Sequence, residues 1–212
     1  MQEIDQAALR AAPLVREPFE YLIVPGFIRP WARAAINHDF PEVAKPGSFP
    51  IAELTYGPAF ANFLDTLTSD AFRVAFEEKF GLSLQGRATM VTVRGQCGLR
   101  DGNIHTDSVS KIITVLLYLN SHWEGTGGCL RLLRSAHDME DVITEIPPLD
   151  GTLVAFRRSE SSFHGHKPFI GPRRVIQLNW VRGQGVKVFE TLRHRATAWL
   201  KRLNLWSGDR AA

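Results

Sequence analysis

Ile104-His105-Thr106-Asp107 opens, and Phe163-His164-Gly165-His166-Lys167-Pro168-Phe169-Ile170-Gly171-Pro172-Arg173-Arg174-Val175-Ile176-Gln177-Leu178-Asn179-Trp180 closes, the stretch that decides how this chain folds. Between the two ends lie strand-length runs rich in apolar residues: Lys111–Leu119, Cys129–Leu133, Val142–Ile146 and Thr152–Phe156. Turn signals separate them, at Gly125-Thr126-Gly127-Gly128, Pro147-Pro148 and Asp150-Gly151. Val175–Val181 continues the series, and Leu82–Gln85 and Ala88–Gly95 precede it with the same character. Many short strands with regular punctuation argue a sandwich or a jelly roll.

The flanks are helical. Residues 1–12 are helix-compatible and Pro13 stops them; Phe19–Val24 then reads as a strand ended by Pro25-Gly26. Pro30 suits the first turn of a helix over Trp31–Asp39, where its missing N–H costs nothing. Residues 41–50 hold three prolines and a glycine, which makes them a loop and a candidate lid. Ala59–Phe80 shows apolar residues at helical spacing, broken at Thr68-Ser69-Asp70, so two consecutive helices are expected, with Gly81 as the stop. Phe189, Leu192, Ala196, Trp199 and Leu203 give the tail, Val188–Leu203, an apolar stripe opposite a basic face. That helix could pack on the protein's own sheet, on a second subunit as a homodimer, or on a membrane surface. The expected organisation is residues 1–81 as a strand and supporting helices, 82–185 as the core, and 186–212 as a C-terminal amphipathic helix. The expected fold class is mainly β (α+β), a sandwich or jelly-roll core with flanking N-terminal helices.

Composition excludes several classes. Of the 212 residues 44% are hydrophobic and 22% charged, which fits a globular protein with a real core. A net charge of +3 is too mild to call for nucleic acid. No run approaches the ~18 apolar residues of a membrane span. The start, Met-Gln-Glu-Ile-Asp, lacks the basic and apolar regions of a secretory leader. The two cysteines, Cys97 and Cys129, form no Cys-x-x-Cys pair and read as free thiols of a reducing compartment, so a cytoplasmic location is expected.

His-x-Asp on an extended strand turns both side chains to one face, because strand side chains alternate with period two. One imidazole and one carboxylate, His105 and Asp107, then converge. A third ligand must come from elsewhere, and His164 supplies it. Two His and one carboxylate on one face of an octahedron leave open positions, the pattern of non-haem Fe(II) oxygenases. Open positions suit a chelating 2-oxo acid, whose far carboxylate needs a buried cation with a bidentate fork. Arg173, nine residues past His164, meets that need.

The wider pattern resembles the 2-oxoglutarate- and Fe(II)-dependent dioxygenases, and within them the prolyl-4-hydroxylase-like group. The residues that carry it are His105-Thr-Asp107, Tyr118-Leu119-Asn120, Trp123, Gly127-Gly128-Cys129-Leu130, Pro148-Leu-Asp-Gly151-Thr-Leu153-Val154-Ala-Phe156 and His164-Gly-His-Lys-Pro168-Phe-Ile-Gly-Pro-Arg173. More loosely, Pro18–Phe27 is similar to the first strand of such proteins. The resemblance implies that His105, Asp107 and His164 bind iron, that Arg173 pairs with the distal carboxylate of 2-oxoglutarate, and that Tyr118 gives its hydroxyl to the same carboxylate. Thr114 faces the same way and is expected to assist; Gln177 and Asn179 share the Arg173 face and are candidates to line the pocket. The resemblance further implies a double-stranded β-helix (jelly-roll) core with flanking N-terminal helices, dioxygen as co-substrate, ascorbate as a candidate reductant, and succinate and carbon dioxide as products. The substrate is a peptidyl proline, another protein side chain or a small molecule.

Rivals remain at two positions. His166 is two residues after His164 on the same face; the family spacing to Pro168 and Arg173 selects His164. Arg174 competes with Arg173, but its face (Ile176, Leu178, Trp180) is apolar and that of Arg173 polar, which points Arg173 into a wet site. Arg94 is expected near the mouth, in an ion pair or against substrate. His122 and His137 fall in loops; His38 and His194 fall on helices without a motif. Two other functions keep the same scaffold: a non-catalytic or regulatory metal-binding jelly roll, and a cupin-like metalloenzyme without 2-oxoglutarate. The first has no need of Arg173 and Tyr118; the second would more often show extra His ligands.

Overall fold

The computed structural model describes residues 3–183. The amphipathic tail expected over 186–212, with His194 and the homodimer contact assigned to it, lies outside the described residues. Among the described residues, nine strands form two antiparallel sheets: β1 (Tyr21–Val24), β2 (Phe49–Pro50), β3 (Ala88–Cys97), β4 (Lys111–Tyr118), β5 (Leu130–Leu133), β6 (Val142–Ile146), β7 (Leu153–Arg157), β8 (Phe163–Gly165) and β9 (Gly171–Val181). The larger runs β1-β7-β4-β9-β3-β2 and the smaller β6-β5-β8. This is the double-stranded β-helix expected. Four helices flank it: α1 (Gln6–Ala11), α2 (Pro30–His38), α3 (Pro58–Thr68) and α4 (Asp70–Phe80). None of the described helices is long and apolar enough to cross a membrane.

The helices form where the sequence supplies their ends. Pro30 and Pro58 sit in the first turns of α2 and α3. Ser69 ends α3 and caps α4, its Oγ accepting from Phe72 N at 3.2 Å. Gly81 closes α4 in the left-handed conformation, φ 63°. The buried stripes of α3 and α4 lie on one face of the larger sheet. There Phe72 and Phe76 pack on Trp180 of β9, with ring centroids 6.1 and 5.1 Å away. Such ring pairs add about 0.5–1.5 kcal/mol beyond the area they bury. A second, smaller core fills the space between the sheets, with Tyr118, Leu132, Phe156 and Val175.

Period-two alternation sorts β9 between these environments. Ile176, Leu178 and Trp180 join the helix-covered core, while Arg173, Val175, Gln177 and Asn179 face the opposite sheet. On β4, Ile113, Val115 and Leu117 take the helix side. A register shift between Lys111 and Ile113 then puts Lys111 opposite Val181 and Thr114 opposite Asn179, both on the site side.

Three sequence expectations need correction. Leu82–Gln85 is not a strand. Leu84 is buried as its alternation suggests, but Leu82 N donates back to Glu77 O at 3.3 Å and Leu84 N to the Glu77 carboxylate at 2.6 Å. Backbone groups tied to a helix end cannot join a ladder. His105 and Asp107 do not share a strand: His105 makes one isolated bridge, to His164, and Asp107 follows in a non-strand segment. Residues 41–50 are not wholly a loop: Phe49–Pro50 forms β2 against Val93 and Thr92 of β3. β8, the three residues around His164, had no expected range of its own; the remaining strands agree to within a few residues, and β3 and β9 are longer at the ends that meet near the site.

Candidate active site

Two backbone bonds clamp the histidines together. His105 N donates to His164 O at 3.0 Å, and His164 N to His105 O at 2.9 Å. The rings stand 4.3 Å apart by their centroids. Asp107 completes the group: one donor atom from each of His105, Asp107 and His164 lies within 4.8 Å of the other two. Each imidazole has its Nδ1 against a backbone carbonyl, His105 on Asn103 O at 2.8 Å and His164 on Ser162 O at 3.0 Å. Donation from Nδ1 leaves the Nε2 lone pair of each ring free for a metal. Burial pushes His164 down to about 4, against the opposing pull of Asp107, so it is neutral near pH 7. Two imidazoles and one carboxylate fit a divalent iron.

Asp107 is held on both oxygens. Lys111 Nζ lies 2.5 Å from Oδ1, and Thr114 Oγ1 donates to Oδ2. Burial pushes this carboxyl upward, but the Lys111 ammonium, His164 and the two donors outweigh it and hold Asp107 well below the usual carboxylate range. Lys111 is only 3% exposed. Lysine is almost never buried so deeply without a partner, and the sequence reading passed over it.

His105, Asp107 and His164 line a cavity of about 360 Å³ that Arg173 and Tyr118 also line. Arg173 is buried, and its Nε donates to Gly128 O at 2.7 Å. Its Nη2 reaches the Tyr118 hydroxyl at 3.5 Å. Among the described residues no carboxylate pairs with Arg173. The Gly127-Gly128 turn allows this anchor. A Cβ on Gly127 would meet Pro168 O at 2.1 Å, and one on Gly128 would meet the Trp123 ring at 2.6 Å, so only glycine lets that carbonyl approach. Burial raises the Tyr118 phenol, against Arg173's pull, and keeps its proton on at neutral pH.

The rivals separate cleanly. His166 is not in the three-residue group; its Nδ1 faces Lys167 O and its Nε2 lies 3.6 Å from Cys97 Sγ. Arg174 points to the helix side, where Nη1 donates to Asn37 O at 3.0 Å and its guanidinium lies 5.1 Å from the Phe40 ring centroid. Arg94 makes the ion pair expected of it, with buried Asp101 at 2.7 Å, and also lines the cavity. Thr114 and Gln177 line the cavity as well; Asn179 lies behind them, fully buried. Thr114 spends its proton on Asp107, so a lone pair is what it has left for a co-substrate. Gly47 and Ser48 of the 41–50 loop, and Gly102 from 95–104, close the rim. His122 and His137 are exposed loop residues, and His38 is exposed at the end of α2.

Comparison with known proteins bears on this arrangement. Residues 96–182 match the profile of the 2OG-Fe(II) oxygenase superfamily, a span that contains His105, Asp107, Tyr118, His164 and Arg173. No curated protein matches the chain in sequence. Among solved structures, a Pseudomonas putida prolyl-4-hydroxylase is similar over 77% of this chain and 88% of its own, with 18% identity and a TM-score of 0.52. A Trichoplax adhaerens prolyl hydroxylase, in complex with a hypoxia inducible factor peptide fragment, is similar over 76% and 83%, with 19% identity and a TM-score of 0.51. A viral collagen prolyl hydroxylase from Paramecium Bursaria Chlorella virus-1, in a 2OG complex, is similar over 77% and 96%, with 17% identity and a TM-score of 0.53. At these identities the structural likeness is one of fold. The matched superfamily implies Fe(II), 2-oxoglutarate and dioxygen.

Proposed function

We propose that this chain, a 2OG-Fe(II) oxygenase of prolyl-4-hydroxylase-like fold, is a 2-oxoglutarate-dependent hydroxylase working through His105, Asp107, His164 and Arg173. The observation that carries the proposal is Arg173, a buried guanidinium without a carboxylate partner among the described residues, in one cavity with three convergent metal ligands. A buried charge needs a counter-charge, and a dicarboxylate that chelates the metal at one end supplies it at the other.

In this reading His105, Asp107 and His164 hold Fe(II), which supplies the oxidative decarboxylation of 2-oxoglutarate to succinate and carbon dioxide coupled to C–H hydroxylation. The residues do the rest. Arg173 presents its fork to the distal carboxylate, fixed in place by Gly128 O. Tyr118, kept protonated by burial, donates to the same carboxylate. Lys111 and Thr114 hold Asp107 as a ligand. Leu116 and Leu130 line the cavity with apolar surface and limit water. Two substrate classes fit: a peptidyl proline, by analogy with the similar prolyl hydroxylases, and a small molecule. Their selection is assigned to the rim, Gly47, Ser48, Arg94 and Gly102. A reducing cytoplasm, with Cys97 and Cys129 as free thiols, and ascorbate as reductant belong to the same proposal.

The test is succinate formation from 2-oxoglutarate with Fe(II) and ascorbate, alongside binding of 2-oxoglutarate to the metal-loaded protein. Turnover or binding is expected in the parent, neither in His105→Ala. Absence of both in the parent at about millimolar co-substrate, where even weak sites fill, contradicts the proposal.

A further inference from the structure

Asn179 is fully buried and has no part in the chemistry above, yet it is bonded to Gln177, which lines the cavity, and to Thr114, which holds Asp107. Gln177 Nε2 donates to Asn179 Oδ1 at 3.1 Å. That bond turns the Asn179 amide so that Nδ2 faces Thr114, and Nδ2 donates to Thr114 Oγ1 at 2.7 Å. An amide nitrogen is only a donor, and a threonine hydroxyl has a single proton. With Asn179 donating to its oxygen, Thr114 sends that proton to Asp107 Oδ2. The order of donation therefore runs one way, from Gln177 through Asn179 and Thr114 to a metal ligand.

We propose that Gln177, Asn179 and Thr114 form a directional hydrogen-bond relay that fixes the Asp107 carboxylate for the metal, with Asn179 as its positioning residue. This rests on the reading of His105, Asp107 and His164 as a metal site. Lys111 contacts Oδ1 and Thr114 contacts Oδ2, so each carboxylate oxygen has its own donor and the plane of the group is set. Thr114 and Asn179 sit directly opposite each other on β4 and β9, two neighbouring strands inside the larger sheet. Both ends of their bond are therefore held by ladders, and the relay is stiff where Asp107, in a non-strand segment, is not. Gln177 lines the cavity, which places the far end of the relay in contact with whatever fills it.

Outer partners of this kind typically affect metal affinity about 10- to 100-fold. The experiment measures Mn(II) affinity of the metal-free protein by the electron paramagnetic resonance of free Mn(II), with no turnover required. Parent, Asn179→Leu, Thr114→Val, the double variant and Thr114→Ser are compared, each with its thermal midpoint as a folding control. Asn179→Leu and Thr114→Val are each expected to weaken Mn(II) about 10-fold or more. The double variant is expected to be no weaker than Thr114→Val, because links of one chain do not add. Thr114→Ser keeps the donor and retains parent affinity. If Asn179→Leu does not fold, Gln177→Leu loosens the same amide from its half-buried end and is expected to weaken Mn(II) less, in the same direction. Parent affinity in Thr114→Val, in Asn179→Leu or in the Gln177→Leu that replaces it, or independent losses that multiply in the double variant, overturns the relay alone. A parent that binds no Mn(II) overturns the metal reading and the relay with it.

Discussion

The two faces of β9 show how one strand serves two purposes. On one face Ile176, Leu178 and Trp180 lie under α3 and α4 in a core without charge. On the other, one residue out of phase, Arg173 reaches Tyr118 and Gln177 lines the polar cavity, while Asn179 behind them bonds Thr114. The apolar face gains from burial and has no further requirement. The polar face is buried too, but each group there needs a specific partner, and Arg173 lacks an anionic one among the described residues. Adjacent residues therefore differ in what they are for: one side holds the scaffold rigid, and the other uses that rigidity.

Substitutions on the two faces should separate stability from binding. Trp180→Ala opens a cavity against Phe72 and Phe76 and is expected to cost about 3–5 kcal/mol, measured by denaturant unfolding. An effect below about 1 kcal/mol would mean that the helix-covered face is not the main core. Arg173→Ala is expected to weaken 2-oxoglutarate binding by about 3 kcal/mol, the loss of one or two charged hydrogen bonds, and to leave metal affinity intact. Equal loss of metal and co-substrate would remove Arg173 from its assigned role. Arg174→Ala, one residue on, tests the contrast most sharply. It loses the bonds to Asn37 and the contact with Phe40, so about 1–2 kcal/mol of stability should go while 2-oxoglutarate binding stays at the parent value.

The smallest effect lies at the far end of α4. The Leu84 N–H and, against burial, Arg73 hold the Glu77 carboxyl below its ordinary range. A depressed carboxyl contributes stability that is complete above its unfolded value, about 4.3, and is lost as pH falls through the lower folded value. Unfolding midpoints followed downward from pH 6 should therefore fall more steeply in the parent than in Glu77→Gln. Parallel curves would show that the turn after α4 does not depend on that charge.

Much of the site was legible because its residues carry their signal in local spacing. His105, Asp107, His164 and Arg173 sit at fixed intervals, and alternation along β9 separated Arg173 from Arg174 before any coordinates. Tyr118 came with the strand ending that the family shares. Lys111 was hidden for a physical reason: strict alternation puts it with Ile113 and Val115 on the helix side, and only the register shift beside Ile112 turns it to the cavity. A bulge is invisible to a period-two reading. Leu82–Gln85 failed differently, since Leu84 is buried and Leu82 packs half-buried on the core as a strand's residues would, while Glu77 captures the backbone. The hydrogen bonds that tie Thr114 to Asp107 and Asn179 depend on rotamers and on strands far apart in sequence, which no local pattern encodes.

The central claim is that metal and Arg173 act on the same small dianion. Calorimetric titration of 2-oxoglutarate into the protein, with and without Mn(II), tests it most directly. The account predicts binding that strengthens markedly with metal, falls about 100-fold in Arg173→Ala, and loses its metal dependence in His105→Ala. Binding of equal strength with and without metal, or unchanged in Arg173→Ala, would contradict it.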